Sequence, residues 1–143
     1  MSTVADLLAP RRSLLTIAPD ETAFAAIDKA TARDVSALPV LVGRRLVGIV
    51  TERDFVRRVL IHNLDPRSTP VERIMTRNLI TVLRDSDVED CMGLMIQHRI
   101  RHMLVVDRNE LVGILSMRDM VLHVLREKQF QIEQMHGYIS RSY

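Results

Sequence analysis

The chain has 143 residues, of which 47% are hydrophobic, and it carries a formal net charge of +2 and one cysteine. This length suits one domain of ordinary size, and the hydrophobic share excludes a disordered chain. The small net charge, together with 3% aromatic residues and no Trp, argues against nucleic acid as a main partner.

Compartment is indicated by three features of the sequence. No apolar run approaches the ~20 residues that a membrane helix needs. The N-terminal residues show no cationic stretch followed by an apolar one, the pattern of a secretory signal. Cys91, the single cysteine, cannot form an internal disulfide. We therefore expect a cytoplasmic location and no membrane partner.

An internal repeat covers most of the chain. Residues 46–60 recur at 111–125 with an offset of 65, and 9 of the 15 positions are identical. Residues 4–8 resemble 71–75 with an offset of 67. The repeat predicts two units of folding, with either two related sites or one site built between them. We place the units at 1–65 and 66–128, followed by a helical tail at 129–143.

Each copy is predicted to run strand, helix, strand, strand, helix. The β-branched runs 14–17 and 79–82 predict the first strands, and two hairpins follow further along each copy. Ser86 and Glu89 have the spacing of a capping box for the first helix of copy two. The last helix is predicted to begin near Met117 and to end at Gly137.

The candidate chemistry lies where a strand meets a helix in each copy. Both copies contain the pattern Gly-x-x-Thr/Ser-x-x-Asp, formed by Gly48, Thr51 and Asp54 and by Gly113, Ser116 and Asp119. A helix N-terminus favours an anionic group such as phosphate, a hydroxyl can donate to it, and a carboxylate can accept both hydroxyls of a ribose. The same spacing is that of a capping box, which would explain both junctions without a ligand.

At these residues the chain resembles a tandem pair of cystathionine-β-synthase (CBS) domains, also called a Bateman module. The resemblance spans about residues 1–128. It includes both Leu-Val-Gly-Ile strands, both junctions, the strand at 101–107 and the segment Ile74-Met75-Thr76. It implies an α+β fold of two β-α-β-β-α repeats, packed through their sheets into a disc with two clefts. In this family the clefts commonly bind AMP, ADP or ATP, and sometimes S-adenosylmethionine or NADH.

The resemblance also implies ligand-binding positions in this sequence. Asp54 and Asp119 would hold ribose hydroxyls, with Thr51 and Ser116 near ribose or phosphate. Backbone facing the base would come from Thr16, Ile17, Thr81 and Val82. The residues before the middle strands would line the clefts: Ser36, Ala37, Leu38, Arg101, His102 and Met103. Because only copy two is basic there, with Arg99 as well, we expect phosphate to be met mainly by copy-two residues.

Other reactive side chains are assigned structural roles. His98 and His102 have the i, i+4 spacing of metal ligands, but the helix is predicted to end near Arg99, so we expect no metal site. Cys91 lies at an apolar helical position and is predicted to be a buried structural thiol. No catalytic constellation is recognisable, and we expect no enzyme activity and no required cofactor.

The function predicted first is that of a stand-alone sensor that binds an adenosine-containing ligand and signals to a separate effector protein. The alternative is a structural dimerisation module with degenerate clefts, and a nucleic-acid-binding protein is a third. A homodimer is predicted in either of the first two cases, because the short helices carry apolar residues on more than one side. We expect the apolar tail to dock on the partner chain or across its own.

Overall fold

The computed structural model describes residues 2–8 and 14–142, with side chains described as far as residue 137. A short 3₁₀-helix, Val4–Leu7, opens the chain. The helices and strands that follow are α1 (Ala23–Ala32), β1 (Ala37–Val42), β2 (Arg45–Thr51), α2 (Glu52–Asp54), α3 (Val71–Ile74), β3 (Thr81–Val82), α4 (Val88–His98), β4 (His102–Asp107), β5 (Glu110–Ser116) and α5 (Met117–Ser142). Helix α2 continues directly as a π-helical segment, Phe55–Leu60.

The two repeats join in one sheet with the strand order β1-β2-β5-β4-β3. β1 with β2 and β4 with β5 form antiparallel hairpins, and β3 lies parallel to β4. The repeats meet where β2 pairs with β5, through Arg45 and Glu110. The α+β fold with two tandem repeats packed through their sheets is thereby confirmed.

Strand register brings each junction beside the start of the first strand of a hairpin, β1 or β4. In repeat one Ala37 pairs with Thr51, and in repeat two His102 pairs with Ser116. A backbone hydrogen bond also holds each helix start beside that strand. Glu52 N–H donates to the Ser36 carbonyl at 3.1 Å, and Met117 N–H donates to the Arg101 carbonyl at 2.9 Å. The two places where a junction lies beside a hairpin are therefore equivalent under the repeat offset of 65, and we call them the two corners of the sheet.

The leading segment of each repeat, residues 2–8 or 69–76, packs against the other repeat. Val4 N–H donates to the Ser86 carbonyl at 2.9 Å, and Val71 N–H donates to the Glu21 carbonyl at 2.8 Å. Val4 is fully buried in the core of repeat two. Val71 and Ile74 are fully buried in the core of repeat one. Each core is therefore completed by chain from across the predicted division at 65/66.

The repeated glycines of β2 and β5 make room for these leading segments. A Cβ at Gly48 would lie 2.6 Å from Met75 Sδ and 3.1 Å from the Thr76 carbonyl oxygen. A Cβ at Gly113 would lie 2.5 Å from Leu8 Cδ2. Glycine lets another group come close to the backbone at both junctions, and that group is a leading segment of the protein itself.

Two predicted elements differ from the structure. In place of a strand at 14–17, only Ile17 bridges to Val40, because Pro39 of β1 has no N–H to donate to its neighbour. The capping box Ser86/Glu89 was also wrong. The N-cap of α4 is Asp87, whose carboxylate accepts from Asp90 N–H at 3.0 Å.

The predicted end of the last helix at Gly137 was wrong as well. Helix α5 continues through Gly137 to Ser142. Glycine inside a helix costs only ~1 kcal/mol relative to Ala, which is too little to end a helix of this length.

Candidate functional site

Two clefts open at the two equivalent corners of the sheet. The first cleft has a volume of about 180 Å³ and takes Thr51 and Asp54 from repeat one and residues 99–102 from repeat two. The second cleft has a volume of about 480 Å³ and takes Ser116 and Asp119 from repeat two and residues 34–37 from repeat one. Each cleft therefore needs both repeats.

Asp54, in the first cleft, is enclosed by hydrogen bonds from its own chain. It is 4% exposed. The N–H and Oγ1 of Thr51 donate to Asp54 Oδ2 at 2.9 and 3.1 Å. Thr76 Oγ1 donates to Oδ1 at 3.0 Å, and Arg58 Nε lies 3.5 Å from the same oxygen. Most of the acceptor capacity of this carboxylate is already in use.

Asp119, its counterpart in the second cleft, is exposed. Ser116 N–H donates to Asp119 Oδ2 at 2.9 Å, and Asp119 N–H donates back to Ser116 Oγ at 3.0 Å. These reciprocal bonds are a capping box, so the alternative explanation of the motif is physically present. Asp119 Oδ1 takes no part in these bonds, and Asp119 lines the second cleft, so capping and ligand binding can coexist here.

The two clefts also differ in charge. Three guanidinium groups and one carboxylate line the first cleft: Arg53, Arg99, Arg101 and Asp54. Two of each line the second cleft: Arg101, Arg118, Asp34 and Asp119. The difference follows from the sequence, because Arg99 of repeat two stands where repeat one has Asp34. The first cleft is the more electropositive, and it therefore favours a more anionic group.

His102 lies between the clefts and lines both of them. Its Nε2 is 3.0 Å from Ser36 Oγ, within hydrogen-bonding distance. Burial is the main cause that lowers the pKa of His102, and the neighbouring charge of Arg101 lowers it further. Asp119 and Glu52 act in the opposite direction. The ring is thus biased toward its neutral form beside a basic patch.

The structure places eight of the fourteen predicted site residues in the two clefts. These are Ser36, Ala37, Thr51, Asp54, Arg101, His102, Ser116 and Asp119. Of the other six, Ile17, Leu38, Val82 and Met103 are buried core residues. Thr81 is an exposed residue of β3, and the carbonyl of Thr16 accepts from Lys29 Nζ at 2.6 Å.

Several cleft residues were missed by the sequence analysis. Asn78, Leu79 and Ile80 line the first cleft, just before β3. Thr76 and Arg58 hold Asp54. Arg58 follows Asp54 by four residues on a helix, and this spacing could have suggested the ion pair.

The structure also describes the surroundings of His98, His102 and Cys91. In the parts of the chain that the structure describes, no group of three His, Cys, Asp or Glu side chains is placed to hold a metal ion. Arg99 ends α4 in the left-handed conformation, so His98 and His102 belong to different elements. Cys91 is buried, as predicted, and burial together with Asp87 and Asp90 raises the pKa of its thiol.

Hydropathy along the helices bears on the membrane question. Among the described residues, no helix is both long and apolar enough to cross a bilayer.

Comparison with known proteins settles the family. The family model for the CBS domain matches residues 4–61 and 71–126. The chain is a member of the CBS domain family. Each of the two matches contains one junction, so this CBS protein carries a tandem pair of domains.

Relatives and solved structures agree with this assignment. The CBS pair is 34% identical over 129 residues to the mitochondrial CBS domain-containing protein CBSX3 of Arabidopsis thaliana, covering 87% of this chain but only 63% of that relative. It is similar to the structure of a putative signal-transduction protein with CBS domains from Burkholderia ambifaria, with 35% identity and a TM-score of 0.83. That match covers 87% of this chain and 95% of the other.

One similar structure contains a nucleotide. The structure of CBSX2 in complex with AMP, a CBS-pair protein from Arabidopsis thaliana, has 27% identity to this chain and a TM-score of 0.78. The match covers 90% of this CBS pair and 99% of CBSX2. An adenine nucleotide is therefore a ligand of at least one protein with this fold.

Proposed function

We propose that this CBS pair is a regulatory module that binds an adenosine-containing ligand of the AMP, ADP or ATP class between its repeats. The observation that carries the proposal is the second cleft, which is lined by both the exposed carboxylate of Asp119 and the shared Arg101. A cis-diol and a phosphate group need those two partners, an acceptor and a guanidinium. The AMP complex of CBSX2 supports the choice of ligand class.

The second cleft is the better candidate for the nucleoside. Its volume, about 480 Å³, is within the range of small-molecule sites and exceeds that of the first cleft, about 180 Å³, which gives a nucleoside less room. Val35, Ile114 and Met117 supply apolar surface for a base. Asp119 has room to accept ribose hydroxyls, while Asp54 is already bonded to Thr76 and Arg58.

Phosphate would be met by the guanidinium groups of repeat two. Arg101 is exposed and lines both clefts, and Arg118 follows Ser116 at the start of α5. We propose no catalytic role and no required cofactor for this chain. Binding would alter the surface offered to a separate effector protein, in the cytoplasm.

Thermal melting with candidate ligands tests the proposal. A ligand at a hundred times its dissociation constant stabilises the fold by about 2.7 kcal/mol, which is roughly 5–10 °C for a chain of this size. AMP, ADP, ATP, S-adenosylmethionine and NADH are the probes, and GMP is the matched control for the base. If all five leave the melting temperature unchanged, the proposal fails, and the dimerisation module becomes the better explanation.

A further inference from the structure

Arg101 and His102 form a shared wall between the clefts. Both residues line the first cleft and the second. Arg99 lines only the first cleft, and Arg118 lines only the second. The guanidinium group of Arg101 is therefore the cation that the two clefts have in common.

Backbone and side-chain hydrogen bonds connect this wall to the helix start at each junction, Glu52 and Met117. The Arg101 carbonyl accepts from Met117 N–H at 2.9 Å, and the Ser36 carbonyl accepts from Glu52 N–H at 3.1 Å. Ser36 Oγ lies 3.0 Å from His102 Nε2 and closes the gap between the two corners. A group that moves Arg101 or His102 toward one cleft therefore changes the other.

We propose that Arg101 is a phosphate ligand for both clefts and that occupancy of one cleft weakens binding in the other. The inference rests on the proposed function, since it needs a phosphate-bearing ligand. A guanidinium carries one positive charge in a planar fork of N–H donors, and the pair of donors at its tip can face only one cleft at a time. A second phosphate near the first would also be repelled.

Charge determines which cleft suffers more. Among the residues that the structure describes, the first cleft keeps Arg53 and Arg99 against the carboxylate of Asp54 when Arg101 turns away, whereas the second keeps Arg118 against the carboxylates of Asp34 and Asp119. We therefore expect the loss of Arg101 to weaken phosphate binding most in the second cleft. This asymmetry belongs to this chain, because it comes from Arg99 standing opposite Asp34 in the repeat.

Variants with one filled cleft separate coupling from intrinsic affinity. Asn78→Trp fills the first cleft and Val35→Trp fills the second, and both side chains are exposed in the native fold. AMP, ADP and ATP are titrated calorimetrically into both variants and the unaltered protein, after circular dichroism has shown that each variant folds. If either Trp variant does not fold, Phe replaces Trp at that position. Independent clefts give a native curve that equals the sum of the two single-cleft curves. Coupling makes the second binding event about tenfold weaker than binding to that cleft in the variant where it is the open one.

Arg101→Gln and Arg99→Gln test the sharing directly, in each single-cleft variant. Loss of a charge-assisted hydrogen bond weakens affinity by about ten- to a hundredfold. We expect Arg101→Gln to weaken both clefts and Arg99→Gln to weaken only the first. Additive native curves, or an Arg101→Gln effect confined to one cleft, would overturn the inference while leaving the proposed function intact. Absence of any binding to the unaltered protein removes both.

Discussion

Thr76 Oγ1 donates a hydrogen bond to Asp54 Oδ1 at 3.0 Å, across residues 62–70, the linker that joins the two repeats. Asp119 is instead held by its own helix start and stays exposed. The two acidic residues of a duplicated motif therefore do different work. Asp54 contributes to the packing of the repeats, and Asp119 is open to a ligand.

Substitution of the two aspartates should separate these roles. Asp54→Ala should lower the free energy of unfolding by about 1–3 kcal/mol, because it leaves partly buried hydrogen-bond donors of Thr51 and Thr76 without a partner. Asp119→Ala should cost ~1 kcal/mol or less from the lost cap, yet lower nucleotide affinity by roughly ten- to a hundredfold. Affinity and melting temperature are measured on the same samples. Unchanged affinity in Asp119→Ala would show that its carboxylate is only a cap.

Acid should destabilise the fold through His102. Its pKa is lowered by burial and by Arg101, against the smaller opposing effects of Asp119 and Glu52. Below about pH 6.5 the unfolded chain therefore binds more protons at this position than the folded chain, so stability is lost as pH falls. His102→Gln should reduce the loss of melting temperature between pH 7.5 and 5.5.

The control for His102→Gln is His62→Gln, which removes an exposed histidine from the linker. A reduced loss in both variants, or in neither, would contradict the assignment to His102. Nucleotide affinity should rise as pH falls, because a phosphate beside His102 favours its charged form and binding then takes up a proton.

Alanine at the two repeated glycines should destabilise the fold to different extents. Gly48→Ala forces Met75 and the Thr76 backbone to shift, and it should cost about 1–3 kcal/mol. Gly113→Ala meets only the end of the flexible Leu8 side chain, so it should cost less. Chemical denaturation gives both values, and Gly93→Ala, with open space at its Cβ, is the control on a helix surface. A larger loss in Gly113→Ala than in Gly48→Ala would contradict this account.

A homodimer is expected to bury the exposed apolar stripe of α5. Val121, Leu125, Ile132 and Met135 recur at helical spacing, and their exposed fractions run from 37% to 64%. Light scattering at micromolar concentration should give about twice the chain mass of 16.4 kDa. Because the part of the chain that the structure describes leaves these side chains exposed, we expect them to pack against the same helix of the partner chain.

Paired charge substitutions test the stripe. Ile132→Glu with Met135→Glu should weaken the dimer by at least about tenfold, whereas Gln131→Glu with Gln134→Glu adds the same charge off the stripe. A chain ending after Lys128 gives the simpler test. If its dimer mass and melting temperature are those of the full chain, the tail is a passive extension.

The fold was predictable because the duplicated segment fixes strands, helices and their order at once. The leading segments were not, since Val4 and Ser86 pair across more than 80 residues and no local pattern encodes that contact. Site residues on the strands were assigned too far along the chain. Leu38 and Met103 follow cleft residues directly, but side chains alternate along a strand and these two point into the cores.

The crossed packing of the leading segments makes the two repeats one thermodynamic unit. A repeat expressed alone would lack the segment that closes its core and would expose the apolar face that segment covers. A protease cut between residues 62 and 68 should leave two fragments that stay associated and still melt together, because each holds part of the other's interior. Contacts between distant parts of the chain slow folding. A ribosome must also release residues 71–75 before the core of the N-terminal repeat is complete, and residues 84–88 before Val4 can reach its place in the core of the other repeat.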